Sequence, residues 1–165
     1  MELYRPGFVF TVEHLAADGR VLSVETIHNI MPTLGLNYML GATFKGDSQY
    51  TAWYLGLFGN SYAPVASDTM ASFIANAGEN KAYTGTARPA IVFPSVANGS
   101  LDTLADPNVF SFATAQTIMG AFITTGPTWD ATTGLLVSAV QFPSAKSVGA
   151  GESLRVPVGF ALASV

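Results

Sequence analysis

Turn-forming residues cut this chain into short runs, and that punctuation limits the possible folds more than any other feature of the sequence. Asp18-Gly19, Asn98-Gly99-Ser100, Asp106-Pro107, Gly126-Pro127, Thr133-Gly134 and Gly149-Ala150-Gly151 are all built from residues that favour tight turns. Between and around them, strands are expected near 80–84, 89–93, 108–113, 116–124, 134–142 and 152–162. Short strands every ~8–12 residues, without a βαβ rhythm, predict an all-β fold: a jelly-roll-like antiparallel β-sandwich.

The first segment is the clearest. GFVFTVEH (7–14) alternates, with Phe8, Phe10 and Val12 on one face, and RVLSVETI (20–27) is rich in branched residues. The Asp18-Gly19 pair between them predicts a β-hairpin over 7–27, because glycine supplies the positive φ of a tight turn. In NIMPTLGLNYMLGATF, Leu36, Met39 and Leu40 have helical spacing after Pro32, which predicts a short helix over 33–41 ended by Gly41. Met31, Tyr38 and Met39 are expected as core contacts. YTAWYLGLF (50–58) is expected as a central strand covered on both faces. VASDTMASFIANA (65–77) fits either a structured loop or a second short helix capped by Ser67 or Asp68. Pro157 falls inside the last strand pattern, and a proline cannot donate to a ladder. That strand is therefore expected at an edge or with a bulge.

At 165 residues the chain is long enough for one domain, 1–165, with the hairpin of 1–27 as an N-terminal arm. There is no cysteine, so packing alone must hold the fold. Charged residues make up 11% of the chain, against about 25% in typical domains. Interface cores are depleted in charge, so this scarcity points to faces covered by neighbouring chains. Arg5, Arg20, Lys45, Lys81, Arg88, Lys146 and Arg155 are scattered singly and the net charge is −4. Without a basic stripe, binding to nucleic acid or to anionic membranes is disfavoured. No apolar run reaches the ~18 residues of a membrane-spanning helix. MELYRPGF lacks a basic segment followed by an apolar one, so export by the usual signal is not expected.

Motifs that carry chemistry are sparse. His14 and His28 sit near the ends of the two hairpin strands, where they could approach each other. With Glu13 and Glu25 they make a weak metal site, since zinc draws three or four protein ligands. No metal, no cofactor and no catalytic residue is expected. G-x-S-x-G is absent, and Gly56 and Gly59 precede neither Lys-Ser/Thr nor an opening helix. Asp102 and Asp106 lie in LDTLADPN, where aspartates order turns through their own backbone. Asn98-Gly99-Ser100 reads as a hairpin turn rather than a glycosylation site. Trp53, Tyr54, Phe58, Tyr62 and Trp129 are candidate stacking platforms for a glycan, though the first three belong to the most apolar strand and suit a core. Trp129, in the turn Gly-Pro-Thr-Trp-Asp, is expected either as an exposed subunit anchor or folded over the sandwich end. Trp129, Phe8 and Phe10 are the expected interface residues.

The succession NIMPTLGLNYML, TAWYLGLFGNSYAP, AYTGTARP, IMGAFITT, TGLLVSAVQF and ESLRVPVGFAL resembles a family of small virion proteins of tailed bacteriophages. The similarity covers roughly residues 25 to 165 and leaves the N-terminal hairpin mostly outside. None of its distinctive parts, G-L-N-Y-M-L, W-Y-x-G-L-F and L-R-V, is a catalytic motif. The resemblance implies a head decoration, or cement, protein, bound as a homodimer or homotrimer to the major capsid protein on the capsid surface and made in the bacterial cytoplasm. The alternative is a glycan- or receptor-binding module of a head or tail fibre.

Overall fold

The computed structural model describes residues 7–162. Strands β1 (Phe8–Leu15) and β2 (Val21–His28) form the expected antiparallel hairpin, with Val9 opposite His28 and His14 opposite Ser23. Gly19 takes φ +83°, and the Asp18 carboxylate accepts the Arg20 N–H at 3.0 Å. Phe10, Val12 and His14 face inward along β1, as alternation requires.

The hairpin is not an arm. β1 lies inside the first sheet, with β2 on one side and the strand pair β9 (Ser153–Val156) and β10 (Val158–Ala161) on the other. Pro157, expected at an edge or a bulge, sits in the interior of this sheet. Glu13 faces Arg155 and Phe10 faces Val158, so the register against β1 continues past the proline. On the far side the partner changes, from β6 (Asn108–Ser111) along β9 to β5 (Ser100–Asp102) along β10. Pro157 still accepts the Thr11 N–H at 3.0 Å, and the buried Thr103 hydroxyl accepts the next donor, Val158 N–H, at 3.0 Å. Hydrogen bonding is thus restored around a residue that has no donor of its own.

The second sheet has the order β4-β3-β7-β8, from β4 (Glu79–Asn80), β3 (Tyr54–Phe58), β7 (Gln116–Thr124) and β8 (Leu136–Val148). Two antiparallel sheets with two short α-helices make the expected all-β sandwich. β3 is covered on both faces: Leu55 and Leu57 join Phe10, Val12, Phe110 and Leu154 between the sheets, whereas Phe58 packs on the outer layer. That layer is helix α2 (Met70–Ala77), whose Phe73 ring stands 5.4 Å from Phe58 and 5.1 Å from Phe122. Two glycines make room for these rings. Gly56 pairs across the ladder with Phe122, and Gly120 pairs with Phe58. A Cβ on either glycine would run into the ring opposite.

Helix α1 (Thr33–Leu40) begins after Pro32, but Gly41 does not end it. The chain continues into a π-helical turn, Gly41–Lys45, and stops at Gly46 with φ +73°. At Gly41 a Cβ would meet the exposed Asp47 carboxylate, which lies close against this turn. The cap of α2 is Thr69, not Ser67 or Asp68. Thr69 Oγ1 accepts the Ser72 N–H at 3.2 Å, and Ser72 Oγ accepts the Thr69 N–H at 3.0 Å. Asp68 is buried and accepts from the Val65 amide and the Tyr62 hydroxyl, each at 2.9 Å.

The segments expected as strands at 80–84 and 89–93 are largely irregular, keeping β4 and two isolated bridges, Tyr83 to Phe112 and Ala90 to Tyr54. What holds this stretch is a buried fork. Arg88 Nε and Nη2 donate to Glu79 Oε1 and Oε2 at 2.7 Å each, and Nη1 donates to the Gly126 carbonyl at 2.8 Å. Both side chains are fully buried, and the guanidinium lies 5.3 Å from the Phe122 ring centroid. β8 runs to Val148, six residues beyond its expected end at 142, and shifts register against β7: residues 142–145 of β8 lie opposite Met119 alone. The bulge turns Lys146 inward, where its ammonium meets Glu25 of β2 at 2.7 Å.

Removing one partner of a buried ion pair leaves the other charge uncompensated. Arg88→Met is therefore expected to lower the unfolding free energy by about 3–5 kcal/mol, measured by chemical denaturation. Gly56→Ala is expected to cost about 1–3 kcal/mol in the same measurement, because the Phe122 ring must be displaced.

Candidate functional site

Where β1 begins and β10 ends, the surface opens into an apolar cleft. Phe8 and Phe160 face each other across the ladder with ring centroids 5.1 Å apart, and Phe93 lies 6.4 Å from Phe8. Trp53, Leu101 and Val137 add walls from three other segments, and Tyr38 and Met39 of α1 close the far side around a volume of about 230 Å³. α1 can reach this position because residue 35 is glycine: a Cβ there would stand 2.7 Å from the Val137 carbonyl oxygen. Tyr50 completes an aromatic cluster, its ring 5.1 Å from Tyr38 and 6.3 Å from Trp53, and its amide donates to the Tyr38 hydroxyl at 2.8 Å.

The chemistry of this cleft is that of carbon. Its lining carries no carboxylate, imidazole or ammonium, and the phenol of Tyr38 already accepts a backbone donor. Such a site buries apolar groups at about 25 cal/mol per Å². Aromatic walls favour edge or offset contacts with another ring.

Phe8 is the one residue of the expected interface set that lies in this cleft. Phe10 is fully buried between the sheets and contributes to the core instead, because it falls on the inward face of a strand with partners on both sides. Trp129 is half-buried and folded over the end of the sandwich. Its indole N–H donates to the Tyr83 hydroxyl at 2.7 Å, and the two rings meet edge to face at 5.5 Å. Burial pushes the Tyr83 phenol up to about 12. Phe58 is core, Tyr62 is tied to Asp68 and Trp53 is a cleft wall. Phe93 and Phe160 carried no signal in the sequence, since nothing there shows that Phe8 and Phe160 share a ladder rung; of the expected core contacts Met31 is buried, whereas Tyr38 and Met39 are half-buried cleft walls.

The polar residues singled out in the hairpin are dispersed. His14 and His28 sit at opposite ends of the ladder, facing Ser23 and Val9, so they do not approach each other. Glu13 pairs with Arg155, and Glu25 accepts from Lys146 at 2.7 Å and from the Ser144 hydroxyl at 2.6 Å. Among the described residues, no three His, Asp or Glu gather as a cation site. Asp102 accepts the Leu104 amide at 3.0 Å, ordering its own turn as expected. Asn98 and Gly99 take φ +52° and +71° in a two-residue hairpin turn, with Ala97 and Ser100 exchanging bonds of 3.0 and 2.9 Å.

A pair the sequence did not suggest is His14 with Glu152, Nε2 to Oε2 at 2.7 Å. The Gly149 amide, donating to Glu152 at 2.7 Å, and His14 hold that carboxyl below its usual range. A shallow depression of about 400 Å³ lies alongside, lined by Gln116, Thr117 and Ser147 without a titratable group. No hydroxyl bonds to His14 among the described residues, so a nucleophile is not assembled there.

Comparison of the chain with protein-family models, with curated proteins and with solved structures found no match.

Glu152 and Glu25 both have lowered folded-state values, Glu25 through its bonds to Lys146 and Ser144. Their stabilisation is present above the ordinary value of 4.5 and is lost as the pH falls through the lower folded values. The melting temperature is therefore expected to drop as pH is lowered below about 4.5, and Glu152→Gln to flatten that drop, both followed by calorimetry.

Proposed function

We propose that this chain is a non-enzymatic structural protein of a virus particle, a decoration or cement subunit that stabilises a phage head by packing across major capsid protein subunits. The observation that carries the reading is the state of its surface. Cations are few, and those at Arg20, Lys81, Arg88, Lys146 and Arg155 are each paired with a carboxylate of the same chain, Arg88 and Lys146 in the interior and the other three at the surface, so exposed charge is sparse and largely neutralised in pairs. Val21, Leu22, Val24, Phe44, Val92, Val96, Leu104 and Val109 meanwhile stand exposed on several flanks. A surface apolar on many sides and poor in free charge is suited to burial against other chains. Weak contacts of this kind become strong when repeated over a lattice.

The glycan-binding alternative draws less support. A sugar needs many convergent hydrogen-bonding groups beside a stacking ring; the lining of the aromatic cleft offers only the Tyr38 hydroxyl and the Trp53 indole N–H, and the Trp129 indole is committed to Tyr83.

Heads assembled without this protein are the substrate for the test. Purified protein is expected to co-sediment with them at a fixed stoichiometry and to raise the temperature at which they disrupt. Protein that stays in the supernatant at saturating concentration, with unchanged head stability, overturns the reading.

A further inference from the structure

We infer that the seam between β2 and β8 is a pH-sensitive latch: in acid the Lys146 side chain turns out to water and the bulged stretch 143–145 leaves β2, while both sheets stay folded. The inference goes beyond the proposed virion role and is tested independently of it.

Where these two outer strands meet, no ladder joins them. β2 pairs with β1 and β8 with β7, and the backbone bonds across the border are the two that Ile30, beyond the end of β2, exchanges with Ala139 at 3.1 Å each. Further along, one carboxylate makes the connection. Glu25 Oε1 accepts from the Lys146 ammonium at 2.7 Å and from the Ser144 hydroxyl at 2.6 Å. Apolar packing does little to support the bulge itself, since Pro143, Ser144 and Ala145 are exposed. Phe142 and Val148 on either side are buried and anchor its two ends, and between them Lys146 is the side chain that points inward. A stretch tethered at both ends and held in the middle by one charge pair is able to open locally.

The closed seam has no place for a proton. Oε1 of Glu25 already takes two donors, and Oε2 is buried without a partner among the described residues, so a proton on it finds no acceptor. Protonation also removes the countercharge of Lys146 and leaves an ammonium buried alone, which a protein interior disfavours strongly. Both groups regain water once the bulge opens. Other charges near Glu25 are already placed. Val12 of β1 stands opposite it, and His14, the next residue on that face, is held by Glu152 at 2.7 Å. Glu13 of β1 and His28 of β2 point to the other face, Glu13 toward Arg155, and β8 carries no charged residue besides Lys146. The bonds from Lys146 and Ser144 hold the Glu25 carboxyl below its ordinary value of 4.5. The latch is therefore closed above that value and is lost as the pH falls through the lower folded one.

The side-chain NMR signals of Lys146 report the latch directly. On acidification of the wild type they are expected to move to the positions of the exposed Lys45, with a midpoint below about 4.5, while the ring signals of the buried Phe58, Phe73 and Phe122 stay native. Glu25→Gln removes the charge at nearly constant shape. At pH 7 it is expected to show the acid positions already, and to raise the rate at which an amine-acylating reagent labels Lys146 about tenfold or more. Glu152→Gln is expected to leave the Lys146 transition where it is. Lys146 signals that move only together with the core rings overturn the inference, because the event is then global unfolding. So does a Lys146 as slowly labelled in Glu25→Gln as in the wild type, or a transition abolished by Glu152→Gln, which would place the trigger at His14. Should Glu25→Gln not fold, the wild-type titration decides alone.

Discussion

The fork between Arg88 and Glu79 holds in place the part of the molecule that local preferences leave undetermined. Residues 79–91 contain little regular strand, and Gly85 takes φ +143°. The segment nevertheless spans the two sheets: Thr84 N–H bonds to the Ser111 carbonyl at the end of β6, while Leu55 N–H and Ile91 N–H exchange bonds along β3 with Pro89 and Trp53. A loop of that kind has many alternative paths, and a bidentate guanidinium clamp with both partners dehydrated accepts few of them. The Asp130 amide adds a bond of 2.6 Å to the same carboxylate, and the Arg88 amide bonds to the Pro127 carbonyl at 2.9 Å. The loop carrying Trp129 is thereby fixed as well. Three residues after Arg88, the Ile91 N–H bonds to the carbonyl of Trp53, a wall of the aromatic cleft, at 2.7 Å.

Much of the framework was legible in the sequence because it follows from local chemistry. Asp18-Gly19 and Asn98-Gly99 form the turns their residues demand, and the run from Gln116 to Thr124 is a strand over the same residues in sequence and in structure. Elsewhere the decisive term was not local. Gly41 carries the usual mark of a helix stop, yet it serves as a close-contact position beside Asp47, and the stop is delayed to Gly46. Gly56 was weighed only as part of a phosphate loop, whereas its role, with Gly120, is to receive a phenylalanine ring from the neighbouring strand. Pro157 obeyed the rule that a proline leaves a gap in a ladder. What the rule did not supply was the hydroxyl of Thr103, fifty-five residues before Val158, that takes the next donor.

The candidate site was the least legible part. Phe8, Phe93 and Phe160 lie far apart along the chain; the register between β1 and β10 brings the first and last together, and an irregular segment adds Phe93. The composition did carry a trace of the surface to which they belong. A chain with few charges, two of whose cations are buried at Arg88 and Lys146, leaves much of its exterior to neutral and apolar groups.

An exterior of that kind carries a hazard that the register shift in β8 addresses. β2 and β8 are the outer strands on one side of the sandwich, and straight, unpaired outer strands invite further strands to add without limit. Here the two approach through backbone bonds between Ile30 and Ala139, and the seam is carried onward by Glu25 with Ser144 and Lys146. Pro143 sits inside the irregular stretch, where it removes a donor and bends the border. An incoming chain finds no continuous template there. Growth into fibrils by backbone pairing is disfavoured at this border, although the neighbouring surface is apolar.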